Sequence, residues 1–338
     1  MRDTTVRTLT ALAIGAVGAA IATTLRFPAP VLMGPAILVT LAAVMGVRLH
    51  MPVALRNTAF IVIGIGMGSG VTPETLQAAR TWPFSVLAMP VVVTAILFGG
   101  AFAVARIFRF DWRTSVLAAS PGHLSYVLGL GLDVRADVGT VTVVQSLRLL
   151  ALTLLVPVVV MLGGVPGTAG EVAAPLPLPA LVATILCAAL AGWGLQRAGV
   201  PAALLLGGMG VSAIAHGAGI VHGGVPLWLS VPAFLVMGTL IGTRFDGAKL
   251  ATLRAAAGAA LVLTTLSVAL AMIGAFAVTA VTGLPVMQVL IAFAPGGVET
   301  MAAMAVLLDA DPAYVAAHHV LRLFVLTGLV PLALRLGR

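Results

Sequence analysis

The sequence has little charge, because Asp, Glu, Lys and Arg together make up only 8% of its 338 residues. A soluble domain carries roughly 25% charged residues. Hydrophobic residues make up 61% of the chain, and no segment is polar and long enough to form a soluble domain. The composition therefore excludes an ordinary soluble protein and predicts an all-α polytopic membrane protein.

Cysteine is almost absent, since Cys187 is the only one, and a disulfide framework is therefore excluded. The six histidines are dispersed except for the adjacent pair His318 and His319. Neighbouring residues on a helix point about 100° apart and chelate one ion poorly. Because no further ligands are spaced around them, the sequence predicts no metal, no cofactor and no enzymatic reaction.

A cationic surface is also lacking, although the net charge is +8. The basic residues lie singly between apolar runs, which is typical of the cytoplasmic loops of membrane proteins. This pattern excludes nucleic acid as a partner and leaves the lipid bilayer, a small ligand and a second copy of the chain in a homo-oligomer.

Runs of about 17–25 apolar residues predict ten membrane spans, five in each half of the chain. They cover residues 6–25, 28–47, 57–73, 82–105 and 138–162, then 177–196, 202–220, 225–243, 255–282 and 312–334. Two further apolar segments, 114–132 and 286–306, contain Pro-Gly pairs and are either re-entrant or full spans. No small-residue cleavage site follows the first run, so we interpret it as a span rather than a signal peptide.

The distribution of charge favours re-entrant Pro-Gly segments. With both termini in the cytoplasm, the arginines between 106 and 113 also lie inside, and the loop 163–176, whose only charge is Glu171, lies outside. That arrangement requires segment 114–132 to enter and leave on one side. It predicts a multi-pass protein of the bacterial inner membrane whose two halves are inserted upside down relative to each other.

The two halves repeat each other in sequence. Pro121 and Pro295 lie 174 residues apart, and so do Arg148 and Arg322. A tandem duplication explains this spacing and predicts two domains, residues 1–165 and 175–338. Each would be an inverted-topology repeat of about five transmembrane helices plus one re-entrant or broken Pro-Gly helix, as in many secondary transporters.

Arg148 and Arg322 lie near the middle of predicted spans, where an arginine costs at least ~2.5–3.5 kcal/mol. Gln145 and His319 precede them by three residues, so each pair shares one helix face. A guanidinium can bind an anionic substrate with two parallel hydrogen bonds. Alternatively, the guanidinium has a structural role: it caps the carbonyl groups of a broken helix or pairs with a buried acid such as Glu299. The substrate-binding and the structural interpretations both remain open.

Each Pro-Gly pair is expected to break a helix, because proline lacks an N–H donor and glycine permits unusual dihedral angles. The half-helix that follows would present free N–H groups and a positive dipole end, which suits an anion. The alternative is a kink in an ordinary span. The residues that would line such a site are Pro121, Gly122, His123, Ser125, Pro295, Gly296, Gly297, Glu299 and Thr300.

Three acidic residues near these segments have separate interpretations. Asp137 and Asp311 precede the two arginine helices and are predicted to cap their N-termini. Glu299 has no acidic counterpart in the first half, where Ser125 occupies the matching position. It is either a residue that carries protons or one that neutralises Arg322.

These motifs resemble the membrane AbrB family, whose members carry a duplicated domain and have been labelled ammonia monooxygenases and regulators of gene expression. The second copy carries Ala294-Pro295-Gly296-Gly297, Glu299, Thr300, Met301 and then Leu321-Arg322. The first copy carries Ser120-Pro121-Gly122-His123 and Gln145-Ser146-Leu147-Arg148. The first copy departs from the second at Ser120 and His123, so the two sites need not be equivalent.

The function predicted from these features is secondary transport of a small organic anion such as a carboxylate. The substrate-binding residues would be Arg148, Arg322, Gln145 and His319 together with the residues around the two Pro-Gly pairs. The alternative is a membrane-embedded regulator or sensor that affects gene expression through a partner.

Overall fold

The computed structural model describes residues 2–70, 82–121, 124–162, 174–200, 202–308 and 310–336. All the elements assigned in these ranges are α-helices, which confirms the predicted all-α class. The chain divides into two compact units. The first comprises residues 1–80, 157–247 and 299–315, and the second comprises residues 81–156, 248–298 and 316–338.

Six helices lie mainly in the first unit. They are α1 (Arg2–Thr24), α2 (Pro30–Val44), α3 (Val53–Gly68), α8 (Leu178–Arg197), α9 (Ala203–Gly217) and α10 (Leu227–Thr243). The second unit contains α4 (Trp82–Phe108), α5 (Trp112–Ala119), α6 (Leu124–Asp133), α11 (Leu250–Thr282) and α12 (Val286–Phe293). The division between the units falls within three helices: α7 (Val138–Leu162) and α14 (Pro312–Arg335), which lie mainly in the second unit, and α13 (Val298–Leu307), which lies in the first except for Val298.

Six helices in the described part of the chain are long and apolar enough to cross a membrane. They are α1, α4, α7, α8, α11 and α14. Each has 20 or more consecutive residues in its candidate span, and about 20 are needed for a bilayer core of about 30 Å. The helices therefore support a multi-pass membrane protein.

Four helices form where spans were predicted but are shorter than predicted. Helices α2, α3, α9 and α10 have 15, 16, 15 and 17 residues. At 1.5 Å per residue they extend only about 22–26 Å. Glycines in the left-handed region follow two of them, with φ of 94° at Gly46 and 68° at Gly219, and this conformation ends a helix although the apolar sequence continues.

Glycines allow the helices of the first unit to approach closely. Helix α3 packs against α9, and α2 packs against α10. A methyl group added at Gly64 would lie 2.2 Å from the carbonyl oxygen of Leu205, and one added at Gly238 would lie 2.3 Å from that of Leu32. The backbones therefore meet directly at these positions, as small residues permit in membrane helices.

Helices α4 and α11 pack in opposite directions in the second unit. A methyl group added at Gly274 would lie 2.6 Å from the Val92 side chain, and one added at Gly258 would lie 2.8 Å from the Phe108 ring. The early part of α4 therefore lies beside the late part of α11, and the late part of α4 lies beside the early part of α11. This order defines an antiparallel pair.

Helices α5 and α6 form a hairpin whose two ends meet. They have only 8 and 10 residues, so each extends about 12–15 Å. Arg113 at the start of the hairpin donates from Nη1 to the carbonyl oxygen of Val134 at its end, at 2.9 Å. The backbone N–H of Asp137 donates to the Thr114 hydroxyl at 3.0 Å. The segment 114–132 therefore begins and ends on one side of the second unit, as a re-entrant segment does.

The same side of the second unit carries several arginines, and we call it the basic end. Three arginines line one cavity there. The ring of Phe108, at the end of α4, lies against Gly258 of α11, which places Arg254, one turn earlier in α11, at the same end. The arginines of the basic end are Arg106, Arg109, Arg113, Arg135, Arg254 and Arg335. Since α11 starts at this end, its last residue Thr282 lies at the opposite end.

Candidate functional site

Two helices are interrupted inside the protein at the predicted positions. Helix α5 ends at Ala119, and Ser120 then adopts an extended conformation with φ −58° and ψ 120°. Helix α12 ends at Phe293, and Ala294 adopts nearly the same angles, −57° and 133°. A proline follows each of these residues and disfavours a helical conformation before it, so the helix stops at this point. Ser120 and Ala294 are each only 1% exposed.

Arg148 of α7 caps the C-terminal end of α5. Its Nη1 donates to the carbonyl oxygens of Ala118 and Ala119 at 3.2 and 3.0 Å, and its Nη2 donates to that of Ser120 at 2.6 Å. The side chain is only 2% exposed. The last carbonyl groups of a helix have no partner within the helix and carry its negative dipole end, so the guanidinium satisfies both their hydrogen bonds and their charge.

Arg322 of α14 contacts the second interruption and shares one equivalent contact with Arg148, since Ala294 corresponds to Ser120. Its Nη1 donates to the carbonyl oxygen of Ala294 at 2.8 Å, and its Nη2 donates to that of Gly296. The side chain is 1% exposed. Of the two interpretations of the arginines, the described contacts match the capping of broken helices.

Gln145 and His319 make a second matched pair of contacts. The Gln145 amide donates to the carbonyl oxygen of Leu117 at 2.8 Å, and His319 Nε2 lies 3.2 Å from that of Ile291. A carbonyl oxygen only accepts, so Nε2 carries the proton. The other ring nitrogen, Nδ1, is buried and has no hydrogen-bond partner among the described residues. In the neutral ring this nitrogen is a bare acceptor.

Ser85 and His318 form a buried polar contact that the sequence interpretation missed. Ser85 Oγ lies 2.8 Å from His318 Nε2, and both residues are fully buried. The His318 ring also lies 5.9 Å from that of Phe293, the last residue of α12. The sequence did contain one signal of this contact. At the repeat spacing of 174, Ser85 corresponds to Ala259 and His318 corresponds to Val144, so each polar residue has an apolar counterpart in the other half of the chain.

Both predicted caps at the arginine helices are present. Asp137 accepts hydrogen bonds from the backbone N–H and the hydroxyl of Thr140, at 3.0 and 2.6 Å, and these bonds lower the pKa of its carboxyl group. Asp311 accepts from the N–H groups of Ala313 and Tyr314 at 2.9 and 3.2 Å. Burial raises the pKa of Asp311, because it disfavours the charged form.

The other predicted site residues are placed as follows. Pro121, Pro295 and Gly296 are buried, Gly297 is half-buried, and Thr300 is 3% exposed. Gly122 and His123, and the side chains of Ser125 and Glu299, lie outside the described residues. In the described ranges, no group of three or more His, Cys, Asp or Glu residues is placed to hold a metal ion. A substrate contact at any of these residues stays a prediction.

A family model described as "Transition state regulatory protein AbrB" matches residues 31–338. The chain belongs to the AbrB family. The match includes both interrupted helices and both arginine helices, so the resemblance seen in the motifs is confirmed over most of the chain.

Two relatives are each 27% identical to the chain. One is "Uncharacterized protein YhjN" of Bacillus subtilis (strain 168), matched over 290 residues, 80% of this chain and 75% of the relative. The other is "Putative regulator AbrB" of Escherichia coli (strain K12), matched over 314 residues, 90% of this chain and 89% of the relative. No solved structure matches the chain.

Proposed function

We propose that this AbrB-family protein is a secondary transporter that moves a small organic anion, such as a carboxylate, across the inner membrane. The observation that carries the proposal is the pair of buried helix interruptions, each held by a buried arginine. Non-helical backbone at membrane depth is tolerated only inside protein or beside a water-filled cavity. Secondary transporters use such broken helices to build their substrate sites.

The anion would bind at the positive ends of the second half-helices. Arg148 already donates hydrogen bonds to the carbonyl groups of α5, so it would balance the negative charge of the substrate rather than bind it with two parallel hydrogen bonds. Helix α6 begins just beyond this interruption and has no acidic residue in its first turn. Backbone N–H groups in the first turns of the half-helices that follow Gly122 and Gly296 would then donate to the anion, with the polar side chains that follow each break nearby.

The proposal includes two inverted repeats, residues 1–165 and 175–338. The antiparallel packing of α4 and α11 supports this arrangement, because residues 82–108 correspond to 256–282 at the spacing of 174. The matched hydrogen bonds of Arg148 and Arg322 also support it. Two equivalent helices that run in opposite directions are expected when the second copy of a domain is inserted upside down.

We further propose that the basic end faces the cytoplasm. Loops near the ends of membrane helices carry more Lys and Arg on the cytoplasmic side. Arg335 belongs to the basic end, so the C-terminus would be cytoplasmic, and Arg2 and Arg7 favour the same side for the N-terminus. The proposal involves no enzymatic step and no nucleic-acid partner, and it allows a homo-oligomer.

The second candidate function is a membrane regulator or sensor that acts through a partner. It is favoured by the names of the family and of the Escherichia coli relative, both of which describe a regulator. In that case the same interrupted helices would bind a signalling anion without carrying it across the membrane.

Uptake into proteoliposomes tests the proposal. A panel of small carboxylates and other anions is offered to the wild type, to Arg148→Gln and Arg322→Gln, and to Arg109→Gln as a matched variant of an exposed arginine. Saturable uptake is expected for the wild type and Arg109→Gln, with a loss of tenfold or more in the two buried variants. Variants that no longer fold are identified first by their thermal unfolding.

Absence of uptake for every anion by folded wild-type protein would contradict the transport proposal. Binding of an anion by that same protein, measured by calorimetry, would then favour the regulator.

A further inference from the structure

A cavity of about 370 Å³ lies at the basic end of the second unit, away from both helix interruptions. It is formed by the start of α5, the end of α6 and the end of α14. Arg113, Arg135, Arg335 and Asp133 supply its charged side chains, and leucine, valine and proline side chains supply the rest of its wall. The cavity therefore combines a cationic group of residues with an apolar surface.

The arginines of this cavity form no ion pair with a carboxylate in the described part of the chain. The cavity's three arginines and one aspartate give a net charge of +2. Within the described ranges the only ion pair joins Arg7 to Asp3, so none of the cavity arginines lies within 4.0 Å of a carboxylate oxygen. Arg113 does use one of its N–H groups on the carbonyl oxygen of Val134, which fixes its position at the cavity wall.

Arg135 occupies a backbone position at which glycine is preferred. Helix α6 ends with hydrogen bonds from Arg135 N to Leu132 O and from Ala136 N to Gly131 O, the pattern of a Schellman motif. The residue at this point must adopt the left-handed region, and Arg135 has φ of 56°. The side chain of Arg135 lines the cavity from this position.

The surroundings of the cavity favour a membrane component as its ligand. Leu132, beside Asp133, is 71% exposed, and Leu336, beside Arg335, is 67% exposed. Exposed leucines at the ends of membrane helices face the acyl chains of the bilayer, while arginines between helix ends bind phosphate groups with paired hydrogen bonds. A lipid would place its phosphate in the cavity and its chains against these leucines.

We propose that the cavity bounded by Arg113, Arg135 and Arg335 binds the phosphate of an anionic phospholipid. Inorganic phosphate is also negatively charged, but it lacks acyl chains and so makes no contact with the exposed leucines. The site is separate from the proposed substrate site, and it requires neither transport nor regulation to be correct.

The test uses purified full-length protein in a neutral detergent, with phosphatidylglycerol, phosphatidylcholine of the same chain length and inorganic phosphate as three separate probes. Bound probe is measured by native mass spectrometry and by the change in Tm. Arg135→Gly removes one guanidinium and supplies the residue that the left-handed position prefers, so its fold should be kept. Arg109→Gly is the matched control, because Arg109 also has a positive φ, 57°, and does not line the cavity.

The wild type and Arg109→Gly are expected to bind phosphatidylglycerol in preference to phosphatidylcholine and to gain Tm from it. Arg135→Gly should bind it about fivefold more weakly, and Arg135→Gly combined with Arg335→Gln roughly 30-fold more weakly, since each basic residue near a membrane contributes a similar factor. Equal binding by wild type and the double variant would overturn the site. Binding of both lipids alike, or of inorganic phosphate alone, would overturn the assignment of an anionic lipid.

Discussion

At the scale of single residues, Arg148 shows how a buried charge is accommodated in an apolar environment. Its three hydrogen bonds all end on backbone carbonyl oxygens, and no carboxylate of the described residues forms an ion pair with it. The carbonyl groups at a helix end carry partial negative charge, so the interrupted helix itself acts as the counter-charge. The arginine and the break therefore depend on each other.

Replacement of Arg148 tests this dependence. Arg148→Gln would leave the carbonyl groups of Ala118, Ala119 and Ser120 with fewer partners in a buried place, and we expect it to lower the free energy of unfolding by roughly 3 kcal/mol or more. Arg148→Lys keeps the positive charge but cannot donate from two planar N–H groups at once, so its free energy of unfolding should lie between those of the wild type and Arg148→Gln. Denaturant unfolding in detergent measures both, and a wild-type midpoint for Arg148→Gln would contradict the capping role.

The sequence predicted which residues matter here better than it predicted what they contact. Arg148 and Arg322 stood out because a charge in an apolar run is costly. Their partners are backbone atoms, which have no signature in a sequence, so capping and substrate binding could not be separated. The contact between Ser85 and His318 was missed because it joins residues 233 positions apart.

At the scale of elements, the breaks in the helices were predictable and the helix lengths were not. The proline after Ser120 or Ala294 disfavours a helical conformation at the residue before it. A Pro-Gly pair in the sequence is therefore enough to predict where the helix ends. The ends of α2 and α9 depend instead on single glycines within apolar sequence. Hydropathy alone does not register a glycine of that kind, and it extended both spans too far.

The cap of helix α7 gives a prediction that depends on pH. The hydrogen bonds from Thr140 hold the pKa of Asp137 below its usual value. A carboxyl group whose pKa is lower in the folded state stabilises that state at pH above about 3.9, and the contribution is lost as the pH falls through the folded-state pKa. Asp137→Ala should therefore cost about 1 kcal/mol at pH 7 and less at pH 3.

Asp137→Asn is the matched variant for this experiment, because asparagine caps a helix about as well as aspartate but does not titrate. The free energy of unfolding of Asp137→Asn should equal that of the wild type near pH 7. Denaturant unfolding of the three proteins between pH 7 and pH 3 supplies the comparison. A constant difference between wild type and Asp137→Ala over this range would argue against an ionised cap.

At the scale of the whole molecule, composition determined the class and duplication suggested the architecture. Low charge and long apolar runs predicted a polytopic helical membrane protein, and the described helices agree. The sequence did not reveal that each compact unit takes helices from both halves of the chain. Contacts between distant segments depend on three-dimensional packing, which the spacing of the repeats does not specify.

The orientation of the second unit leads to a prediction for cysteine labelling. In a Cys187→Ala background, Arg135→Cys marks the basic end and Leu284→Cys marks the opposite end, just after α11. In spheroplasts, a membrane-impermeant thiol reagent should label position 284 directly and position 135 only after permeabilisation. Labelling of both positions from one side would contradict the proposed arrangement.

The division of the chain into units has a consequence for its biogenesis. The second unit requires residues 81–156 together with residues 248–298 and 316–338. At about 5–20 residues per second of synthesis, helices α4–α7 wait roughly 10–35 seconds for their last partner, α14, to leave the ribosome. At the start of that time Arg148 is already made and can cap α5, while α11, the antiparallel partner of α4, is not yet synthesised. Since each unit contains segments from both halves of the chain, two separately expressed halves would have to associate before either unit could form.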